Sequence, residues 1–151
     1  MVQGLAQLNR KLTVTIPNRV KEATRDAMEK GAEELVAMMK RLVPVDQGDL
    51  RDSIGWTWGE APRYAQKIAA VKAQDGDLSI TIYAGNTKVR YAHLVEFGTK
   101  AHINGGKFEG TQNPGTTAQP FFYVSWRTMR KRIKGRVTRA MKKAIRQEGS
   151  E

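Results

Sequence analysis

His93 and Glu96 are the residues of this sequence whose types and spacing first suggest chemistry, because residues three apart share one face of a helix. Di-metal helical bundles use such a Glu/His pair, but they also need further carboxylates and a second histidine on neighbouring helices. His102 is the only other histidine, and no predicted helix supplies matching acids. The sequence therefore predicts no metal site and no cofactor.

Other catalytic arrangements are also missing from the sequence. Gly105-Gly106-Lys107 lacks the preceding strand and following helix that a phosphate-binding loop requires. There is no G-x-S-x-G motif, and no nucleophile has an evident base. We predict that the chain is not an enzyme. The enzymatic alternative that stays open is a hydrolase using Asp46, Asp49, His93 or Glu96.

Composition points to one domain with a charged end. A chain of 151 residues suits a single domain, predicted here over residues 1–151. Ten of its 26 basic residues lie between Val124 and Gln147 with no acid among them, and the remainder is close to neutral. The absence of cysteine excludes disulfides and thiolate metal sites. Since no stretch approaches the roughly 20 apolar residues of a membrane helix, no membrane contact is predicted.

Apolar spacing predicts the helices. Leu5, Leu8 and Leu12 favour a short helix over residues 2–12, which Val14–Pro17 should interrupt because a residue before proline avoids the helical region. A long helix is predicted from Pro17 to Arg41 on an apolar row, and a last helix after Pro120 to about Arg146 on a second row. The first row is Val20, Ala23, Ala27, Gly31, Leu35, Met38 and Leu42, and the second is Phe121, Val124, Met129, Ile133, Val137, Met141 and Ile145.

The middle of the chain is typical of β-structure. Alternating Ile54, Trp56 and Trp58 predict a strand buried on one face, and residues 66–72 and 78–84 predict an antiparallel hairpin around Asp75-Gly76-Asp77. Residues 91–97 fit a helix or a strand, with a helix favoured by the glycine that follows. We therefore predict an α+β fold. A long N-terminal helix and a C-terminal helix pack on a small antiparallel sheet, with a long flexible loop near 100–117.

Three short segments stand out: 43–51, 91–99 and 118–122. In the first, Pro44 ends the long helix, Gly48 permits a positive φ and Leu50 returns to the core. In the second, Glu96 is expected to be nearly buried, so it needs a partner such as Arg51 or a set of backbone N–H groups, and a pair with a neighbouring subunit is the alternative. In the third, proline and two phenylalanines start the last helix.

The order and separation of these segments resemble the gene-product-ten-like tail-component family of long-tailed phages. The family pattern is a helix ending in Pro-x-Asp/Thr-x-Gly-x-Leu-Arg, then Tyr-x-x-x-x-Glu-Phe-Gly-Thr, then Ala-Gln-Pro-Phe. The matching structural and assembly residues are Pro44, Gly48, Leu50, Arg51, Tyr91, Glu96, Phe97, Gly98, Thr99, Gln119, Pro120 and Phe121. The resemblance implies a family core over residues 16–123, followed by a basic C-terminal helix and tail over 124–151.

The resemblance implies a structural virion protein of the head–tail connector, at the neck or tail-completion position. Such a subunit is expected to form a homo-oligomeric ring, a hexamer or dodecamer, between head-completion proteins and tail-tube or terminator proteins. DNA would pass through the lumen. The protein would be in the host cytoplasm during assembly and then in the virion.

The basic C-terminal helix lies outside the shared pattern, and two interpretations of it stay open. It either faces solvent or a protein partner, or it contacts DNA phosphates, which would make the chain a small DNA-binding protein. The residues concerned are Arg127, Arg130, Lys131, Arg132, Lys134, Arg139, Lys142 and Lys143.

Overall fold

The computed structural model describes residues 4–72 and 78–150 and shows a mixed α+β chain. The helices are α1 Leu5–Arg10, α2 Ile16–Leu42, α3 Asp49–Asp52, α4 Ala92–Phe97 and α5 Phe122–Gly149, with a π-helical segment Lys11–Thr15 and a 3-10 turn Gly106–Phe108. The strands are β1 Gly55–Trp58, β2 Gln66–Lys72, β3 Ser79–Ala84, β4 His102–Ile103 and β5 Gln112–Asn113. The predicted fold class is confirmed, with both long helices and the small antiparallel sheet.

The sequence predicted a break in the N-terminal helix before Pro17, and this prediction is wrong. Helix α1 continues through the π-helical segment Lys11–Thr15 directly into α2. A proline ring crowds the carbonyl four residues earlier and supplies no N–H group to the helix. A π-helical turn is wider, since its hydrogen bonds reach five residues along the chain, so it accommodates the ring without ending the helix. None of the described helices is apolar over a long enough stretch to span a membrane.

The main sheet has the order β1-β3-β2, with both pairings antiparallel. The predicted hairpin of β2 and β3 is confirmed, and Gln66 pairs with Ala84. The predicted turn at 75–77 lies outside the described residues. The predicted buried face of β3 is confirmed, because Ile80 and Ile82 are both buried. On the opposite face Ser79 and Tyr83 are half-buried, whereas Thr81 is buried and its hydroxyl donates to the Gly59 carbonyl.

Residues 100–117, predicted as a loop, contain a small hairpin. His102 pairs with Asn113 and Ile103 with Gln112. The strands are only two residues long, and polar side chains complete the pairing, because Asn104 Nδ2 donates to Thr111 Oγ1 at 2.9 Å. The sequence-based prediction missed these strands because such short pairs have no measurable apolar alternation.

The chain divides into two compact units. The first comprises Met1–Glu33 and Met129–Glu151, and its main body is an antiparallel pair formed by the N-terminal part of α2 and most of α5. Gly31 faces Ile133 so closely that an added Cβ would lie 2.9 Å from Ile133 Cγ2. At the other end of the pair, Arg19 Nη1 lies 3.3 Å from the carboxylate of Glu148, whose side chain is 7% exposed.

The second unit, Glu34–Thr128, contains the sheet, α3, α4 and the small hairpin. Its buried side chains come from the last turns of α2, from the sheet and from the first turn of α5. The largest fully buried ones among the described residues are Phe121, Phe122, Leu35 and Met39. This unit holds all three segments singled out in the sequence.

Candidate assembly surface

Helix α4 is amphipathic in an unusual sense, because an acid is on its inner face and apolar residues are on its outer face. Ala92 and Glu96 are 3% and 4% exposed. Tyr91, Leu94 and Phe97, spaced by three, are 43%, 42% and 65% exposed and form what we call the aromatic row. A helix of a globular domain ordinarily turns its apolar stripe inward. Both departures therefore need a physical reason.

The buried acid is satisfied by the start of α5. Glu96 Oε2 accepts the backbone N–H groups of Phe121 and Phe122, both at 2.9 Å, and Oε1 accepts that of Tyr123 at 3.0 Å. The first N–H groups of a helix have no partner inside the helix, and a carboxylate is favoured there by the helix dipole. The predicted backbone partners of Glu96 are thus confirmed.

Arg51, the alternative partner considered for Glu96, lies elsewhere. Its Nε lies 3.7 Å from the carboxylate of the neighbouring Asp52, and its side chain is 47% exposed. The three N–H groups already hold both oxygens of Glu96, so an arginine is not required to satisfy the charge.

The second motif segment is bound by backbone hydrogen bonds to the third and to Thr116, which lies just before the third. Thr99 and Thr116 exchange N–H···O=C hydrogen bonds at 3.0 Å, and Gln119 N–H donates to the Val95 carbonyl at 2.9 Å. Gly98 makes this approach possible, because its φ is 70° and an added Cβ would lie 2.6 Å from the Thr116 carbonyl oxygen. Thr116 was missed by sequence reasoning, and its place in a Thr/Gly-rich stretch gave no distinguishing signal.

The first motif segment is anchored by a serine that the sequence analysis also missed. Gly48 has a φ of 92° and Leu50 is 5% exposed, as the turn prediction required. Ser53 Oγ donates to the Leu50 carbonyl at 2.6 Å and accepts the Gly85 N–H at 3.0 Å. The available signal was a small polar residue directly before the apolar Ile54 of the strand entry.

A cleft of about 330 Å³ lies where the first and second motif segments meet. Asp46 and Asp49 line it together with Tyr91 of the aromatic row; the full lining is Pro44, Asp46, Gln47, Gly48, Asp49, Leu50 and Tyr91. The aromatic row therefore begins at an acidic cleft. At its other end, the ring of Phe97 lies 5.9 Å from that of Tyr123.

Of the residues of the hydrolase alternative, Asp46 and Asp49 line the cleft described above. His93 is exposed, His102 Nδ1 lies 3.1 Å from the Lys100 carbonyl oxygen, and both oxygens of Glu96 are engaged by backbone N–H groups. Within residues 4–72 and 78–150, no three His, Asp or Glu side chains are placed to hold a metal ion.

The basic face of α5 is exposed along the helix. Arg127 belongs to the second unit, whereas the other predicted contact residues belong to the first, which carries +9 of the net charge of +11. All eight predicted side chains are exposed: Arg127, Arg130, Lys131, Arg132, Lys134, Arg139, Lys142 and Lys143. This exposure fits both interpretations of the basic helix, one that faces solvent or a protein partner and one that contacts DNA phosphates.

The comparisons with known proteins match the first two motif segments. A family model described as "Bacteriophage HK97-gp10, putative tail-component" matches residues 6–98, more than half of the chain, and includes Pro44–Arg51 and Tyr91–Gly98. No curated protein and no solved structure matches the chain significantly. A tail component is a structural, virion-associated protein, and this is the role that the match supports. The chain belongs to the HK97-gp10-like family of phage tail components.

Proposed function

We propose that the chain is a subunit of the phage head–tail connector, at the neck or tail-completion position. Copies form a closed ring, a hexamer or dodecamer, between head-completion proteins on one side and tail-tube or terminator proteins on the other. DNA passes through the lumen. The observation that carries this proposal is the exposed aromatic row on a helix whose inner face is occupied by a buried acid.

The aromatic row supports self-assembly on energetic grounds. Tyr91, at the N-cap of α4, and Leu94 and Phe97 within that helix are 43%, 42% and 65% exposed. Covering a large apolar side chain contributes about 1.5–3 kcal/mol, so leaving three adjacent ones exposed is unfavourable for a monomer in water. A contiguous exposed apolar patch is typical of an interface, and the family membership points to neighbouring subunits as the partners.

A closed ring also needs two different patches, because its subunits meet head to tail. This chain has two surfaces of different chemistry, one apolar and acidic and the other basic. The aromatic row with its acidic cleft lies in the second unit, and the basic face of α5 lies mostly in the first. A basic face is suited to a lumen that DNA crosses, since each phosphate contact releases a counterion.

Light scattering after size exclusion, together with electron microscopy of the protein mixed with purified tails or portal complexes, tests the proposal. The expected result is a closed ring of one stoichiometry that joins at least one of these assemblies. A protein that stays monomeric at every concentration and joins neither partner contradicts the proposed function. Phe97→Glu, which places a charge in the aromatic row, should lower ring formation in the same measurement.

A second candidate function, DNA binding through α5, is favoured by one observation. Between Arg127 and Arg146 the exposed side of the helix carries nine basic residues and no acid. The slope of log K against log salt measures the number of phosphates neutralised, at about −0.9 per contact for duplex DNA. Neutralising Lys131, Arg132 and Lys134 to glutamine should reduce that slope by about 2–3, if each side chain contacts one phosphate.

The matched control removes the same charge from the second unit by changing the exposed residues Lys88, Lys100 and Lys107 to glutamine. It should leave the slope nearly unchanged. If both triple variants reduce the slope equally, the effect reflects net charge and the α5 interpretation is contradicted.

A further inference from the structure

The N-terminal helical extension has no packing of its own. Over the described segment Leu5–Thr15, no residue is buried. Leu5, Leu8 and Leu12 are 63%, 53% and 57% exposed. Their spacing of three and four places them on one face of the helix, and we call them the leucine row.

A helix of this length is marginal in water when nothing packs on it. The extension is continuous with α2, but its eleven residues gain no buried apolar contact from that continuity. Three leucines on one face are the pattern by which an amphipathic helix docks into an apolar groove. We therefore expect the leucine row to pack against a partner surface.

The aromatic row matches the leucine row in length. At a rise of about 1.5 Å per residue, Leu5 to Leu12 covers about 10 Å and Tyr91 to Phe97 about 9 Å along the helix. Both rows are exposed within the described chain, each with three large apolar side chains on one face.

The charges around the two rows are opposite. Residues 4–21 contain no acid and four basic side chains, at Arg10, Lys11, Arg19 and Lys21. The aromatic row begins at the cleft with Asp46 and Asp49, and the segment 43–52 has three aspartates and a single arginine. Complementary charge at the ends of an apolar contact favours one orientation and speeds association.

We propose that the leucine row of one copy docks on the aromatic row of the next copy, with its basic residues towards the cleft that contains Asp46 and Asp49. The inference rests on the proposed ring and names the contact that closes it. Because donor and acceptor are different patches of the same chain, each copy uses both, and the contact is heterologous.

Other exposed apolar side chains fit the aromatic row less well. On α5, Met141 and Ile145 are 37% and 50% exposed but stand alone among basic residues. On the small hairpin, Ile103 and Phe108 are 71% and 65% exposed but do not form a row on one helix face. These two sites are the competing candidates for docking on the aromatic row, and the experiment must distinguish them from the leucine row.

The test uses two variants, each with one broken patch. Leu8→Glu/Leu12→Glu removes the leucine row, and Leu94→Glu interrupts the aromatic row. Each change lies at an exposed side chain, so folding is preserved. Each variant alone should associate at least about tenfold more weakly than the unchanged protein and run as a monomer in size exclusion with light scattering.

Mixing the two variants gives the decisive result. The intact aromatic row of the first meets the intact leucine row of the second, and no further contact is available, so the mixture should form a heterodimer and stop there. Formation of that heterodimer also shows that both variants are folded. Ile145→Glu and Ile103→Glu/Phe108→Glu are the controls and should leave ring assembly unchanged.

A cysteine pair provides an independent measurement, since the chain has no native cysteine. Leu8→Cys combined with Leu94→Cys should give disulfide-linked dimers and higher oligomers under mild oxidation, and neither single variant should give more than dimers. A ring that still forms with Leu8→Glu/Leu12→Glu, or that is lost instead in a control variant, overturns the inference while leaving the proposed function intact. An unchanged protein that never forms a ring contradicts both.

Discussion

The carboxylate of Glu96 accepts the backbone N–H of Phe122 at 2.9 Å, across a sequence separation of 26 residues. Through this bond and those to Phe121 and Tyr123, the short helix α4 caps the N-terminus of α5. An N-cap is ordinarily supplied by the residue just before the helix. Here that place is taken by Phe121, which has no side-chain acceptor, and the acid of another helix replaces it.

Glu96→Ala should therefore destabilise the second unit strongly. The change leaves three buried or half-buried N–H groups without an acceptor, and each unsatisfied buried donor costs about 1–3 kcal/mol. We expect a loss of at least about 3 kcal/mol in the free energy of unfolding, measured by urea denaturation. Glu96→Gln keeps one acceptor oxygen and should cost less.

The matched control for this prediction is Glu60→Gln, because Glu60 is exposed. It removes the same charge and should change the free energy of unfolding by less than about 0.5 kcal/mol. An equal effect of Glu60→Gln and Glu96→Gln would show that net charge, and not the cap, determines the stability.

Sequence reasoning identified that Glu96 is buried but left its partner open, and the reason is physical. A motif fixes residue types along the chain, whereas a capping bond depends on where a second helix begins in space. Both candidates, Arg51 and backbone N–H groups, could satisfy a carboxylate, and neither spacing nor composition distinguishes between them. The same limit applied to Ser53, whose acceptor role towards Gly85 depends on the pairing of distant segments.

Gly98→Ala should disrupt the backbone hydrogen bonds between Thr99 and Thr116. Gly98 has φ 70° and ψ 177°, a region that is essentially restricted to glycine, and an added Cβ would lie 2.6 Å from the Thr116 oxygen. We expect a loss of about 2–4 kcal/mol in the free energy of unfolding. The exchange protection of the Thr99 and Thr116 amides should also fall.

Gly105→Ala is the control for that substitution. Gly105 has an extended backbone, with φ −106°, and its added Cβ would meet nothing within 4 Å. Alanine there should be neutral or slightly stabilising, since it reduces the entropy of the unfolded chain. A similar loss at both glycines would contradict the assigned role of Gly98.

Ser53→Ala should also be destabilising, by about 1–3 kcal/mol in thermal or urea unfolding. Ser53 is 6% exposed, and its hydroxyl is the acceptor for the Gly85 N–H at 3.0 Å. Its loss leaves that donor unsatisfied in the interior. Ser79→Ala, at a half-buried strand serine, is the matched control and should change stability by less than about 0.5 kcal/mol. Equal losses of stability in Ser53→Ala and Ser79→Ala would contradict the assigned role of the Ser53 hydroxyl.

The positions of the long helices followed from apolar spacing, but the buried faces of their ends did not. In α5 the predicted row steps by four residues from Met129 to Ile145, and each such step advances about 40° around a helix of 3.6 residues per turn. After several steps the row leaves the interface, so Met141 and Ile145 are 37% and 50% exposed, whereas Ala144 is buried. At the end of α2, Leu42 is 47% exposed, and Val43, the residue that follows the helix, is buried instead.

The last prediction concerns the contact of Gly31 with Ile133 in the first unit. Gly31→Ala gains about 1 kcal/mol of helix propensity, but its Cβ would lie 2.9 Å from Ile133 Cγ2, and overpacking costs about 1–3 kcal/mol. We expect a net loss of stability in the otherwise unchanged chain. In an Ile133→Ala background the obstructing methyl is absent, so Gly31→Ala should become stabilising by about 1 kcal/mol. A double-mutant cycle in urea measures this reversal of sign, and additive effects of the two substitutions would contradict the contact.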